Sequence, residues 1–283
     1  MSEIISYLEA VGIVTCWQLL IFFVPAFVLS ICVHFTSSCI EREGIRVFGM
    51  HIYLYLFAWL GTICHELGHA VFCVIFRHKI NEIKFFSPNG SNGTLGHVNH
   101  SYEPKNIYQS SGNFFIGIGP IILGATVIYL AAFLLLGLSL TCSEDLVSNI
   151  VNCFVDSFSE ASVLKVKYAA KMLYQTLLGH IDYQSWQLYL FLYIAFSIGS
   201  SITLSWADVK GAWSGLIVLI ILVFVVNLAT YWFKTTTGDS YQLVAPVLTV
   251  FYSVLLFTIM INSIAAVVLI IVSTAKSLLL GCV

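Results

Sequence analysis

The sequence predicts an all-α polytopic membrane protein of about six transmembrane helices, with a small membrane-associated β-hairpin between spans two and three. Three observations carry this expectation. Only 9 % of the 283 residues are charged and 59 % are apolar, whereas roughly 25 % of an average soluble domain is charged. Too few polar groups remain to cover a water-facing surface, and the mean hydropathy is +0.94. The apolar residues fall in long stretches between charges, and one inter-span segment instead alternates in the manner of a strand pair.

A helix needs about 20 mostly apolar residues to cross a ~30 Å hydrocarbon core. Residues 10–40 form a run of 31 without Asp, Glu, Lys or Arg, and 47–65 a run of 19 that continues past Glu66 to Phe76. These are spans one and two. Further runs of 38, 25, 23 and 36 residues cover 106–143, 183–207, 211–233 and 240–275. The first lacks the basic start of a secretory signal and reads as a retained helix. The last is long for one upright helix, and a seventh, re-entrant piece is the alternative.

Between spans two and three, Ile83-Lys84-Phe85-Phe86, the turn-rich Pro88 to Gly93 and Leu95-Gly96-His97-Val98 read as the hairpin. Residues 138–186 read as an extramembrane amphipathic segment, with Leu146, Ile150, Phe154 and Phe158 at helical spacing. Without an internal repeat, residues 1–283 read as a single membrane-embedded domain with its core at about 48–233. Six spans place both termini on the hairpin side. Each side then holds six Lys and Arg, so the positive-inside rule gives a tie.

Span two contains Cys64-His65-Glu66-Leu67-Gly68-His69-Ala70. A HExxH pattern arises by chance roughly 0.007 times in a chain of this composition. His65 and His69, at i and i+4, stack on one helix face and can bind one zinc ion, with Glu66 beside the metal-bound water as general base. The alternative is a buried polar cluster that joins helices. An ionisable carboxylate inside a span costs about 2.5 kcal/mol or more on insertion scales, and a divalent cation would compensate for Glu66.

Hydrolytic zinc sites use three protein ligands and a water. His69 lies eight residues before Arg77, about 12 Å from that end of the helix. The site is therefore nearer the hairpin side, where the segment joining spans four and five should also emerge. That segment holds Asp208, which is the expected third ligand; its other reading is a helix N-cap. His97 and His100 in the hairpin are the rival donors.

HELGHA in a hydrophobic span, followed by a hairpin and by Gly117-Ile118-Gly119-Pro120 in the next span, resembles the site-2 protease class of intramembrane zinc metallopeptidases over residues 48–233. In that class the third ligand is an Asp near the start of a later span, in a longer motif ending Asp-Gly. Asp208 matches that ligand, with Gly211 three residues on. The Asn-x-x-Pro portion is replaced by Ser201-Ile202-Thr203-Leu204-Ser205, and there is no length for an inserted PDZ domain. The chain is thus closer to a little-characterised branch with an Asp-x-Lys-Gly ending.

The resemblance implies zinc-dependent hydrolysis of peptide bonds in membrane-protein or peptide substrates. It also implies a plasma-membrane location, with the hairpin, the site and both termini on the cytosolic side. A zinc-binding transporter or sensor without hydrolysis, and a zinc hydrolase of a lipid-linked substrate, are the other readings of the same ligands. The net charge of −2 argues against a nucleic-acid partner. The expected partners are substrate and lipid bilayer.

Cys39, Cys142 and Cys153 share the side opposite the hairpin in this topology, where a disulfide can form if that side is oxidising. Asn89, Asn92 and Asn99 begin N-x-[ST] patterns but read as turn and strand residues on the cytosolic side. Gly199-Ser200-Ser201 reads as close helix packing rather than a serine nucleophile.

Overall fold

The computed structural model describes residues 2–88, 95–137, 182–203, 205–231 and 237–280, with scattered positions between 160 and 175. The elements are helices α1 (Ser2–Phe48), α2 (Met50–Tyr53), a π-helical stretch (Leu54–Ala58) and α3 (Trp59–Ile75). Strands β1 (Lys79–Lys84) and β2 (His97–Ser101) follow, then helices α4 (Ile107–Leu136), α5 (Trp186–Gly199), α6 (Trp206–Tyr231) and α7 (Thr237–Leu280). Five helical segments are long and apolar enough to cross a membrane, while α5 is a shorter apolar helix of 14 residues. Large apolar side chains face outward, Leu134 at 75 % exposure among them, as lipid-facing residues do.

Local signals explain the helix ends. α3 stops where Arg77 turns left-handed at φ 57°, with His78 N–H on the Cys73 carbonyl and Arg77 N–H on Val74. The Asn106 side chain accepts the Tyr108 and Gln109 N–H groups to start α4, and Gly137 at φ 64° ends it. Ser185 caps α5 through the Leu188 N–H. The π-helical stretch offers the Leu56 and Phe57 carbonyls to α5, where the Tyr193 and Ser197 hydroxyls donate to them. That seam fixes α5 against the chain just before the HExxH segment.

One apolar core joins Val33 of α1, Cys64 of α3, Ile121 and Ile128 of α4, Phe191 and Ile198 of α5, and Leu255 of α7. α3 and α4 are antiparallel and unusually close, because Gly68 abuts Gly119 and Pro120 while Gly112 abuts the Phe76 ring. Phe76 also stacks on Phe115 at 5.0 Å between ring centres. β1 and β2 pair antiparallel from Lys79↔Ser101 to Lys84↔His97, with an irregularity between Ile80 and Glu82. The hairpin is thus present as expected, although β1 begins before Ile83 and the tip, with Asn89 and Asn92, lies outside the described residues. The amphipathic helices expected in 138–186, together with Cys142 and Cys153 of the disulfide expectation, lie almost wholly outside them as well.

Two topological expectations are corrected. Tyr193 meets Leu56, Ser197 meets Phe57 and Ser201 meets His65, so α5 runs parallel to the π-helical stretch and α3. Along α6, Gly117 faces Asp208 and Ala212 whereas Gly215 faces Ser110 and Phe114, so α6 runs antiparallel to α4. Both helices therefore run the same way as α3. α5 and α6 thus follow one direction with an interruption between Gly199 and Trp206 inside the bundle, rather than forming two opposed spans. The interruption is tolerated because protein groups satisfy the freed backbone: Asn262 Nδ2 and the Ser37 hydroxyl both donate to the Gly199 carbonyl, at 3.0 and 3.1 Å.

The second correction follows from the first. Ser273 donates to Glu43, and Lys276 donates to the carbonyls of Arg46 and Val47, so α7 runs parallel to α1 and ends beside the end of α1. Among the described residues, the C-terminal helix therefore ends on the face opposite the hairpin, not on the hairpin side. α7 is a single 44-residue helix, with no re-entrant break.

Candidate metal centre

α3 presents His65 and His69 on one face because four residues make slightly more than a turn. Each ring is held by a backbone carbonyl on another element: His65 Nδ1 is 3.0 Å from the Ser201 oxygen, and His69 Nδ1 is 2.8 Å from the Ile116 oxygen. A carbonyl can only accept, so both Nδ1 atoms carry the hydrogen. In the neutral rings both Nε2 atoms are then lone-pair donors, and they face each other at 3.3 Å.

Asp208 completes the group from the first turn of α6. Its Oδ1 lies 3.3 Å from His69 Nε2 and its Oδ2 3.8 Å from His65 Nε2. All three ligand atoms fall within 4.8 Å of one another. The same carboxylate joins the capping box of its own helix: the Ser205 N–H donates to Asp208 Oδ2 at 2.8 Å, and the Asp208 N–H donates to the Ser205 hydroxyl at 3.1 Å. The N-cap is thus Ser205, and Asp208 is its reciprocal partner in the capping box rather than the cap itself. The cap fixes the carboxylate and leaves Oδ1 turned toward the histidines.

This donor set fits a divalent ion. Two nitrogens at 2.0–2.1 Å from a tetrahedral ion lie about 3.3 Å apart, which matches the observed Nε2 separation of 3.3 Å. With both imidazoles neutral, two ring nitrogens and a carboxylate oxygen converge, and this set could hold a cation. The side chains of His65, Asp208 and His69 retain 16 %, 14 % and 11 % exposure, so the site is recessed but open to a small reactant.

Glu66 is buried on α3 beside this cluster. The hairpin returns directly over it: a Cβ on Gly96 would lie 2.7 Å from Glu66 Cγ and 2.9 Å from the Lys84 and Phe85 carbonyls. Only glycine lets the strand close on the carboxylate. His78 anchors the hairpin base, bonding the Gln109 carbonyl through Nε2 at 2.8 Å and His100 Nδ1 through Nδ1 at 3.0 Å. Its ring stacks on Tyr102.

The structure therefore brings His65, Glu66, His69 and Asp208 together and leaves the rival donors elsewhere. His97 Nε2 sits 3.5 Å from Glu82, and His100 pairs with His78. Sequence reasoning missed the Ser201 and Ile116 carbonyls, the Ser205 half of the cap and the role of Gly96. Of these, only the Ser205-x-x-Asp208 spacing carried a sequence signal.

The fold and site together define a multi-helix membrane protein with a His-His-Asp group inside its bundle. Compared with protein families, curated proteins and solved structures, the chain matches none.

Proposed function

We propose that this chain is an intramembrane zinc metalloendopeptidase, similar to the site-2 protease class, that hydrolyses peptide bonds of membrane-protein or peptide substrates. The observation that carries the reading is the convergence of His65 Nε2, His69 Nε2 and an Asp208 oxygen within 4.8 Å, next to a buried glutamate. His65, His69 and Asp208 would hold the ion. When bound, zinc acidifies a water and polarises the scissile carbonyl.

The chain's own groups do the rest. Glu66 takes the proton of the attacking water on a carboxylate oxygen and delivers it to the leaving amine as the C–N bond breaks. The Ser201 and Ile116 carbonyls hold the imidazoles in one tautomer, and Ser205 holds Asp208. Gly96 brings the hairpin backbone down over Glu66 and limits water around it. The reading places the protein in the plasma membrane with the hairpin toward the cytosol.

The test joins stoichiometry to turnover. Detergent-purified wild type should carry about one zinc per chain and cleave a membrane-peptide library. Glu66→Gln should keep the zinc and lose cleavage by at least about 100-fold. Cleavage by Glu66→Gln at the wild-type rate overturns the peptidase reading, and metal uptake into sealed vesicles that vanishes in His65→Ala replaces it with transport.

A further inference from the structure

Within α4, Pro120 stands four residues after Ile116. In an unbroken helix the N–H of residue 120 would bond the carbonyl of residue 116, but proline has no N–H. The Ile116 oxygen is therefore released from the helix ladder. Its proline-side crowding also tilts such a carbonyl off the helix axis. Residue 116 is buried, so lipid and bulk water are poor substitutes for the lost donor. The partner that reaches this oxygen is His69 Nδ1, at 2.8 Å.

The approach is built from both sides. Gly68 sits against the nitrogen and Cα of Pro120, and Gly119 sits against the Gly68 carbonyl. The two backbones meet directly at Gly68 and Gly119, with the Phe72 ring beside Gly119. An intrahelical defect and an imidazole N–H satisfy each other across that contact.

We infer that Pro120 is a positioning residue for the metal centre: by lacking an N–H it frees the Ile116 carbonyl to accept from His69 Nδ1, which fixes the tautomer that turns His69 Nε2 to the ion. The inference rests on the proposed metal site for its functional meaning. Pro120 carries no titratable group and so has no part in proton transfer.

Pro120→Ala returns the N–H to the ladder and sets the helix and His69 in competition for one oxygen. Loss of an outer-shell partner of this kind lowers metal affinity about 10- to 100-fold. Alanine is the better helix former, so the melting temperature of the metal-free protein should stay level or rise. A merely structural proline would move the two readouts together. Pro25→Ala, the same backbone repair inside α1, should leave metal affinity unchanged.

The experiment measures zinc affinity by chelator competition, the melting temperature without metal, and the ¹⁵N-histidine NMR spectrum of metal-free protein. Wild type should show a protected Nδ1–H on His69 that Pro120→Ala weakens. An α-hydroxy analogue of alanine at position 120, which has no N–H, should restore both that signal and the affinity. The inference is overturned if Pro120→Ala keeps wild-type affinity and the Nδ1–H signal, if Pro25→Ala loses as much affinity, or if the α-hydroxy analogue rescues neither. Should wild type bind no zinc yet show the Nδ1–H signal and its loss in Pro120→Ala, the positioning role stands and the metal reading falls.

Discussion

Replacing Gly68 by alanine tests the close approach of α3 and α4 on which the His69 geometry depends. A Cβ there would lie 2.6 Å from Pro120 N, 2.7 Å from Pro120 Cα and 2.8 Å from the Gly119 carbonyl carbon. All three are backbone atoms, so no side chain can swing aside. To reach ordinary contact at 3.4 Å the helices must part by about 0.8 Å. If that displacement falls along the His69–Ile116 bond, it lengthens the 2.8 Å separation to about 3.6 Å, beyond hydrogen-bond range.

Overpacking of this kind destabilises by about 1–3 kcal/mol, against a gain of about 1 kcal/mol in helix propensity. The expected result is a lower melting temperature together with a 10- to 100-fold loss of zinc affinity, the latter on the order seen when an outer-shell partner is removed. Gly211→Ala is the control, since a Cβ at Gly211 meets nothing within 4 Å although the residue lies near Asp208. Chelator competition and thermal melts in one detergent provide both readouts. Wild-type affinity and melting temperature in Gly68→Ala would refute the reasoning.

Two further outcomes are expected. Asn262→Ala removes one of the two donors to the buried Gly199 carbonyl, leaving the Ser37 hydroxyl, and should cost about 0.5–1.5 kcal/mol; an unchanged melting temperature contradicts the account of how the interrupted path is satisfied. Burial, and then the neighbouring His78, hold the His100 imidazole below its usual pKa. The unfolded chain, titrating at about 6.5, then binds the proton more readily than the fold does. The hairpin's contribution is complete above that pH and falls away as pH drops below it, so exchange protection of β1 and β2 should decline under acid in wild type and hold in His100→Gln. Protection independent of pH in wild type argues against the pairing with His78.

Much of the site was legible because its chemistry is local. His65, Glu66 and His69 lie within five residues, and helical spacing alone puts the two rings together. Asp208 was reached by a topological argument whose premise does not hold, although the residue does lie beside the two histidines. Charge marks the limits of spans only when charged residues lie outside the bundle, and Asp208 is drawn inside by the histidines it faces. That reversal made one interrupted path look like two spans and put the C-terminal helix end on the wrong face. The hairpin was legible from alternation, but the His78–His100 contact joins residues 22 apart and depends on how the strands dock. Backbone carbonyls leave no mark of their own in a sequence, which is why the acceptors for both rings went unseen.

The interruption between α5 and α6 sets two parts of the candidate site on one stretch of backbone. Ser201, which orients one histidine, and Asp208, which supplies the carboxylate, stand at opposite ends of the same short joint. Much of α6 is uncovered by protein, while its first turns are seated on α4 where Gly117 meets Asp208 and Ala212, so a tilt of α6 in a bilayer would pivot there. A change of tilt about that seat would turn the carboxylate relative to the ring that Ser201 holds. Should the His-His-Asp group hold an ion as proposed, its affinity is expected to differ between thin and thick bilayers.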